Sequence, residues 1–176
     1  MKPKGVILDV VQPILARNAR LAERNRGYLS AKGVWSLNLI SSPGAGKTTL
    51  VERTVVGLGE ACPAAVIVGD LATARDAERI RAAGAPVVQI TTGTVCHLDA
   101  EMVARGLEQL ELAGKRVLLL ENVGNLVCPA DFDLGEAMRV VLLSVTEGED
   151  KYRGHVLVHP RLAEEGRKGP KGPKGQ

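Results

Sequence analysis

Aromatic residues are scarce in this chain: Tyr28, Trp35, Phe132 and Tyr152 are the whole set in 176 residues. Any core must therefore be aliphatic, built from Val, Leu, Ile and Ala. Long apolar runs are absent as well, and none approaches the ~18 residues a membrane helix needs. The apolar stretch 6–11 is short and contains Asp9, so it does not read as a secretory leader. A cytoplasmic location and no membrane partner are expected. Cysteines number only three, Cys62, Cys96 and Cys128, which suggests metal or redox chemistry rather than a disulfide frame. No internal repeat is visible.

Charge is unevenly spread. Seven of the 23 Lys and Arg residues, but only two of the 20 Asp and Glu residues, fall in 151–176. The body is slightly acidic and the tail is basic. No aromatic residue interleaves the terminal charges, as base stacking would require, so a solvated tail is expected and no nucleic-acid partner. Residues 166–176 are low in complexity and are expected to be disordered.

At this length the chain reads as one domain able to bury a core. Residues 6–30 have helical apolar spacing, with Pro13 as a kink or as the true start. Apolar segments at 34–40, 64–68, 86–90, 117–120 and 140–145 read as strands. They alternate with helical segments at 49–58, 73–83 and 98–112, which predicts an α/β fold with a mostly parallel sheet flanked by helices.

Residues 41–49, Ser-Ser-Pro-Gly-Ala-Gly-Lys-Thr-Thr, lie between the first strand and a helix start. A strand, a Gly-rich loop and a helix N-terminus form a phosphate cradle, as in a P-loop NTPase. Gly44, Ala45 and Gly46 supply permissive backbone, Lys47 reaches the β- and γ-phosphates, and the Thr48 hydroxyl ligates Mg2+. Ser41 stands where the usual motif has its first Gly.

Two strand-end acids are candidates for the Mg2+ site. Glu121 ends an apolar strand and is followed by Asn-Val-Gly-Asn; Gly124 there suits a γ-phosphate sensor. The alternative for Glu121 is a plain helix cap. Asp70 ends another strand, where parallel sheets place ligand-binding groups, or is only a helix N-terminal acid. Cys96, His97 and Cys128 offer soft ligands suited to Zn2+ or Ni2+; the alternative is that the cysteines are small apolar core residues. Three ligands leave a shell for a second subunit or water to complete. Cys62 has no partner in the pattern and reads as structural. His155 and His159 read as ordinary surface residues.

The stretches NLISSPGAGKTTL (38–50), VIVGD (66–70), DAERIR (76–81), CHLDAEMVAR (96–105), ENVGNLVCP (121–129) and SVTEGEDK (144–151) together resemble the HypB family of hydrogenase-maturation GTPases, which are nickel-insertion factors. The urease accessory UreG proteins are similar but match less well. The resemblance covers about residues 21–151. It implies an N-terminal helical segment (1–33), a P-loop GTPase domain (34–151, incomplete at its C-terminal end) and a divergent basic tail (152–176). It also implies that Gly44, Ala45, Gly46, Lys47, Thr48 and Thr49 hold GTP phosphate and Mg2+. Asp70 falls in a first switch and Glu121 to Gly124 in a second. Cys96, His97 and Cys128 then match a nickel or zinc site at a homodimer interface, and Lys151 meets nucleotide from the neighbouring subunit. The implied partners are nickel-donating accessory proteins and the hydrogenase large subunit. Two features depart from the family. The chain has no Cys-rich or His-rich nickel-storage stretch, and Asn-Lys-x-Asp, which reads guanine, occurs nowhere. The pattern breaks after Lys151, as with a truncated or shifted frame or a divergent tail. An exposed sheet edge, reduced stability and weak guanine selectivity are expected. The alternative is a metal-binding dimer module with impaired nucleotide hydrolysis.

Overall fold

A computed structural model describes residues 11–71 and 75–144. Five strands form one parallel sheet: β1 (Trp35–Ser41), β2 (Ala64–Asp70), β3 (Val87–Thr91), β4 (Val117–Glu121) and β5 (Met138–Leu142), in the order β3-β2-β4-β1-β5. Four helices connect or flank them: α1 (Val11–Lys32), α2 (Lys47–Leu58), α3 (Arg75–Ala82) and α4 (Ala100–Gln109). A 3-10 turn spans Cys128–Ala130. The expected parallel α/β architecture is present.

Strand parity divides the core. Ala65, Ile67, Leu118 and Leu120 point to one face, where they pack with Leu29, Val103 and Leu107 of α1 and α4. Ala64, Val66, Val68 and Leu119 point to the other, against Val51, Val55 and Ile80 of α2 and α3. Both central strands are covered twice, which explains their unbroken apolar runs.

Several boundaries differ from the sequence expectation. The fifth strand, expected at 140–145, occupies Met138–Leu142. Its ladder follows β1, from Leu37 opposite Met138 to Ser41 opposite Leu142, and it ends where β1 turns into the Gly-rich loop. The helix expected at 98–112 stops at Gln109, and Leu110 is extended. Leu110 and Leu112 both enter the core, a two-residue spacing that an extended chain satisfies and a helix does not. The predicted residues 6–10, 73–74 and 145, and the tail, lie outside the described residues. Among the described residues β5 is an edge strand, with Val141 and Leu143 exposed.

α1 is tied to the body by buried asparagines. Asn18 accepts from the Ala100 N–H at 2.9 Å and donates to the Asp133 carbonyl at 2.7 Å. Asn25 donates to the carbonyls of Ala100 and Leu134, at 2.8 and 3.0 Å. Arg26 Nη2 lies 2.9 Å from both Asp133 oxygens. Burial alone would raise the Asp133 carboxyl, but the Gly135 N–H and Arg26 hold it below its ordinary value.

A carboxyl with a depressed folded pKa contributes stability above its unfolded pKa and loses it as pH falls through the folded value. Asp133→Asn should cost roughly 2 kcal/mol at pH 7, the scale of a charge-assisted hydrogen bond. The gap should narrow below about pH 4, where the unfolded carboxyl takes up its proton. Urea denaturation of parent and variant at pH 7 and pH 3 checks this; an equal gap at both would exclude the ion pair as its source.

Candidate functional site

The first cluster lies where β1 meets α2. Gly44 and Gly46 have φ of 76° and 91°, left-handed backbone that side chains resist. Gly46 is the N-cap of α2 and makes no side-chain cap bond, so no side-chain oxygen competes for the positive end of the helix. The Ala45 N–H turns back to the Ser42 carbonyl at 3.4 Å. Lys47 is buried, and its Nζ donates to Ser41 Oγ at 2.9 Å. Ser41, odd for the usual motif, thus has a specific role, because its hydroxyl receives the lysine.

Glu121 reaches this cluster from β4. It shares the face of Leu119, toward α2, and its Oε1 accepts from the Thr48 hydroxyl at 2.6 Å. The residue is 3% exposed, and its Oε2 has no hydrogen-bond partner among the described residues. Burial pushes its pKa up to about 7. The Thr48 hydroxyl opposes the rise, Asp76 adds to it, and Lys47 and Arg79 oppose it. The Glu121–Thr48 bond runs to a side-chain hydroxyl in the first turn of α2.

The other candidates fall in different places. Asp70 ends β2, and its Oδ1 accepts from the Leu71 N–H at 2.7 Å. The acid whose charge acts on Glu121 is Asp76, on α3, which reads in the sequence as an ordinary helix residue. No local pattern marks it; only the packing of α3 against α2 brings it there. The Thr49 hydroxyl accepts from Arg79 at 3.2 Å, and Arg79 also bonds Glu52 at 2.6 Å. Gly124 lies on the Gly-rich loop: a Cβ there would stand 3.0 Å from Pro43 Cα. Asn125 pairs with Ser41 in a short antiparallel bridge. Lys151 lies outside the described residues.

The second cluster is a thiol–imidazole group. The ligand atoms of Cys96, His97 and Cys128 all lie within 4.8 Å of one another, each residue half-buried. Cys96 and His97 directly precede α4, whose N-cap Asp99 accepts from the Met102 N–H at 2.7 Å. Cys128 opens the 3-10 turn. Burial lowers the His97 pKa against the pull of Asp99, which favours the neutral, ligating imidazole. A hydrogen bond with Cys96 holds the Cys128 thiol up, so a metal binding here displaces protons. Phe132, which the sequence marks only as one of four aromatics, lies 4.1 Å from the His97 ring, tilted by 39°. Cys62 stays apart from the cluster. It lines a cavity of about 690 Å3 with Trp35, Arg116 and Met138, at the strand starts and away from both clusters.

The family model of the CobW/HypB/UreG nucleotide-binding domain matches residues 36–145. The chain is 57% identical over 145 residues to the hydrogenase maturation factor HypB of Azotobacter chroococcum mcd 1, covering 82% of this chain and 48% of that one. It is 45% identical over 149 residues to the probable hydrogenase maturation factor HypB of Methanocaldococcus jannaschii, covering 85% and 67%.

The chain belongs to the HypB family.

It contains that family's nucleotide-binding domain. Its fold is similar to the crystal structure of HypB from Archaeoglobus fulgidus, with a TM-score of 0.71 and 46% identity over 77% of this chain and 66% of that one. HypB from Helicobacter pylori in complex with nickel gives 0.71 and 42% over 77% and 64%. The chain spans about half the length of the bacterial relatives from Azotobacter and Escherichia coli.

The raised pKa of Glu121 has a sign that can be tested. Between its ordinary value of 4.5 and about 7, the unfolded state releases the proton and the folded state keeps it. Stability of the ligand-free chain should therefore fall as pH rises through this window. Glu121→Gln should match the parent at pH 4 and exceed it by on the order of 2 kcal/mol at pH 8. Thermal melts across pH 4–8 decide; a parallel pair of curves would show that Glu121 ionises freely.

Proposed function

We propose that this chain is a Mg2+-dependent GTP-binding and hydrolysing domain that holds nickel or zinc at Cys96, His97 and Cys128. It serves nickel insertion during hydrogenase maturation. The observation that carries this reading is that residues 121–128 serve both clusters. Glu121 bonds Thr48 at one end, and Cys128 lies with Cys96 and His97 at the other. Membership of the HypB family and the nickel complex of the Helicobacter pylori relative support it.

The residues fit the cation. The buried Oε2 of Glu121, which has no hydrogen-bond partner among the described residues, and the Thr48 hydroxyl beside it are hard oxygen donors. Bound there, Mg2+ supplies charge neutralisation on the phosphate oxygens. Lys47 exchanges Ser41 Oγ for phosphate oxygens. The N–H groups of residues 44–49 and the α2 dipole hold the triphosphate, and water is the nucleophile. Gly124 rests on Pro43 and senses whether a γ-phosphate lifts or holds the segment ahead of Cys128. Hydrolysis would release it and shift the position of Cys128 relative to Cys96 and His97. Asp70 contributes from the first switch. Every nucleotide contact proposed here is to phosphate or its cation, and Asn-Lys-x-Asp does not occur in these 176 residues.

Nickel is cargo here. Three protein ligands leave room for a second copy of the chain, so the metal sits at a homodimer interface and passes between accessory proteins and the hydrogenase large subunit. No described helix is long and apolar enough to cross a membrane, and the cytoplasm is the proposed location.

Purified chain should hydrolyse GTP with Mg2+, and Lys47→Ala should lower turnover at least a hundredfold. Cys96→Ser or Cys128→Ser should abolish tight nickel binding while leaving GTP affinity within about threefold. Turnover unaffected by Lys47→Ala would exclude the nucleotide half. Nickel binding without Lys47-dependent turnover would leave only a metal module.

A further inference from the structure

Asn122 follows Glu121 directly, and strand parity turns it to the opposite face. Its backbone N–H continues the β1–β4 ladder to the Leu39 carbonyl at 3.0 Å. Its side chain, 1% exposed, makes three bonds. Oδ1 accepts from the N–H groups of Leu98 and Val123, at 2.9 and 3.0 Å. Nδ2 donates to Asn38 Oδ1 at 3.2 Å. Leu98 directly follows Cys96-His97, and Val123 precedes Gly124.

The polarity of the chain is self-determining. Two backbone donors require the Asn122 oxygen, so its amine must face the Asn38 oxygen. Asn38 Nδ2 then donates to Glu136 Oε1 at 3.2 Å. Arg139 Nη2 meets the same oxygen at 2.6 Å, and this pair is almost wholly buried. Arg139 also donates to the carbonyls of Ala130 and Phe132, at 2.6 and 3.0 Å. Ala130 closes the turn that Cys128 opens, and Phe132 lies against His97. Both loops that bear the metal ligands thus hang from one buried polar chain rooted beside Glu121. In an aliphatic core such a chain persists only if every member is satisfied.

We propose that Asn122 is the positioning residue that joins the nucleotide site to the thiol–imidazole cluster. It fixes the Cys96-His97 loop directly, and it fixes the Cys128 loop through Asn38, Glu136 and Arg139. This inference rests on the functional reading above. An amide is required because the position must accept twice and donate once. A carboxylate cannot donate to Asn38 and would add charge beside Glu121, and an alkyl group does neither.

The test uses the full chain with Asn122→Ala and Arg139→Lys. Nickel affinity is read from the thiolate charge-transfer band against a competing chelator, without nucleotide, with GDP and with a non-hydrolysable GTP analogue. Hydrogen exchange at the Leu98 amide is followed in parallel. Asn122→Ala should speed Leu98 exchange at least tenfold and weaken nickel binding about tenfold without nucleotide. It should also bring the nickel affinities of the two nucleotide states together. Arg139→Lys keeps the charge on Glu136 but loses the fork to Ala130 and Phe132. It should weaken nickel binding with Leu98 exchange unchanged. A folded Asn122→Ala with a fast Leu98 amide but parental nickel affinity and spectrum overturns the proposal. If that variant does not fold, parental nickel affinity in Arg139→Lys does so. A parent that binds nickel no better than its Cys96→Ser variant would instead sink the functional reading, and this inference with it.

Discussion

The parallel pairing of β1 with β4 is the constraint from which both clusters follow. The ladder runs from Trp35 opposite Val117 to Leu39 opposite Glu121. Two residues past Leu39 the chain becomes the Gly-rich loop, so the end of β4 must lie beside the start of the phosphate cradle. Alternation along a strand then separates consecutive side chains. Glu121 faces α2 and meets Thr48, while Asn122 faces the other layer and meets Leu98. A one-residue slip would exchange the two and bury each against the wrong partner.

The second constraint is the near absence of aromatic rings. An aliphatic core packs well but offers no polar tips, so polar links through it depend on buried Asn, Glu and Arg. Asn18 and Asn25 secure α1 to the start of α4 and to the turn at Asp133. Asn38, Asn122, Glu136 and Arg139 do the same between sheet and loops. Unpaired, each would cost on the order of 1–3 kcal/mol, more for the charged members. Their joint satisfaction is why the loop geometry is specific rather than one of many aliphatic packings.

Much was legible in the residues. The continuous apolar content of 64–68 and 117–120 announced doubly covered strands, and Gly44-Ala45-Gly46-Lys47-Thr48 announced a cradle at a helix start. Cys96, His97 and Cys128 were legible as ligand types, but 30 residues lie between His97 and Cys128 and nothing local shows that they meet. The helix end at Gln109 and the placement of β5 were misjudged. Leu110 and Leu112 follow the core rather than helical period, and β5 follows the ladder of β1. Asp76 and Asn122 lie in family-like stretches and Phe132 is one of four aromatics, but nothing local marks their contacts, since each gains its significance from a neighbour supplied by another element.

Sequence by itself determined the local chemistry. It set left-handed backbone where only glycine is comfortable, a lysine and threonine at a helix start, apolar strands with an acid at one end, and soft ligands before α4. These depend on residues a few positions apart, where sterics and period decide. Tertiary structure alone decided which of those groups act together. It placed Glu121 rather than Asp70 on Thr48, gave Ser41 the lysine, brought Asp76 into the field of Glu121 and closed Cys96, His97 and Cys128 into one cluster. Such pairings depend on strand order and register, which arise from burying two core layers at once, and that is a property of the whole chain.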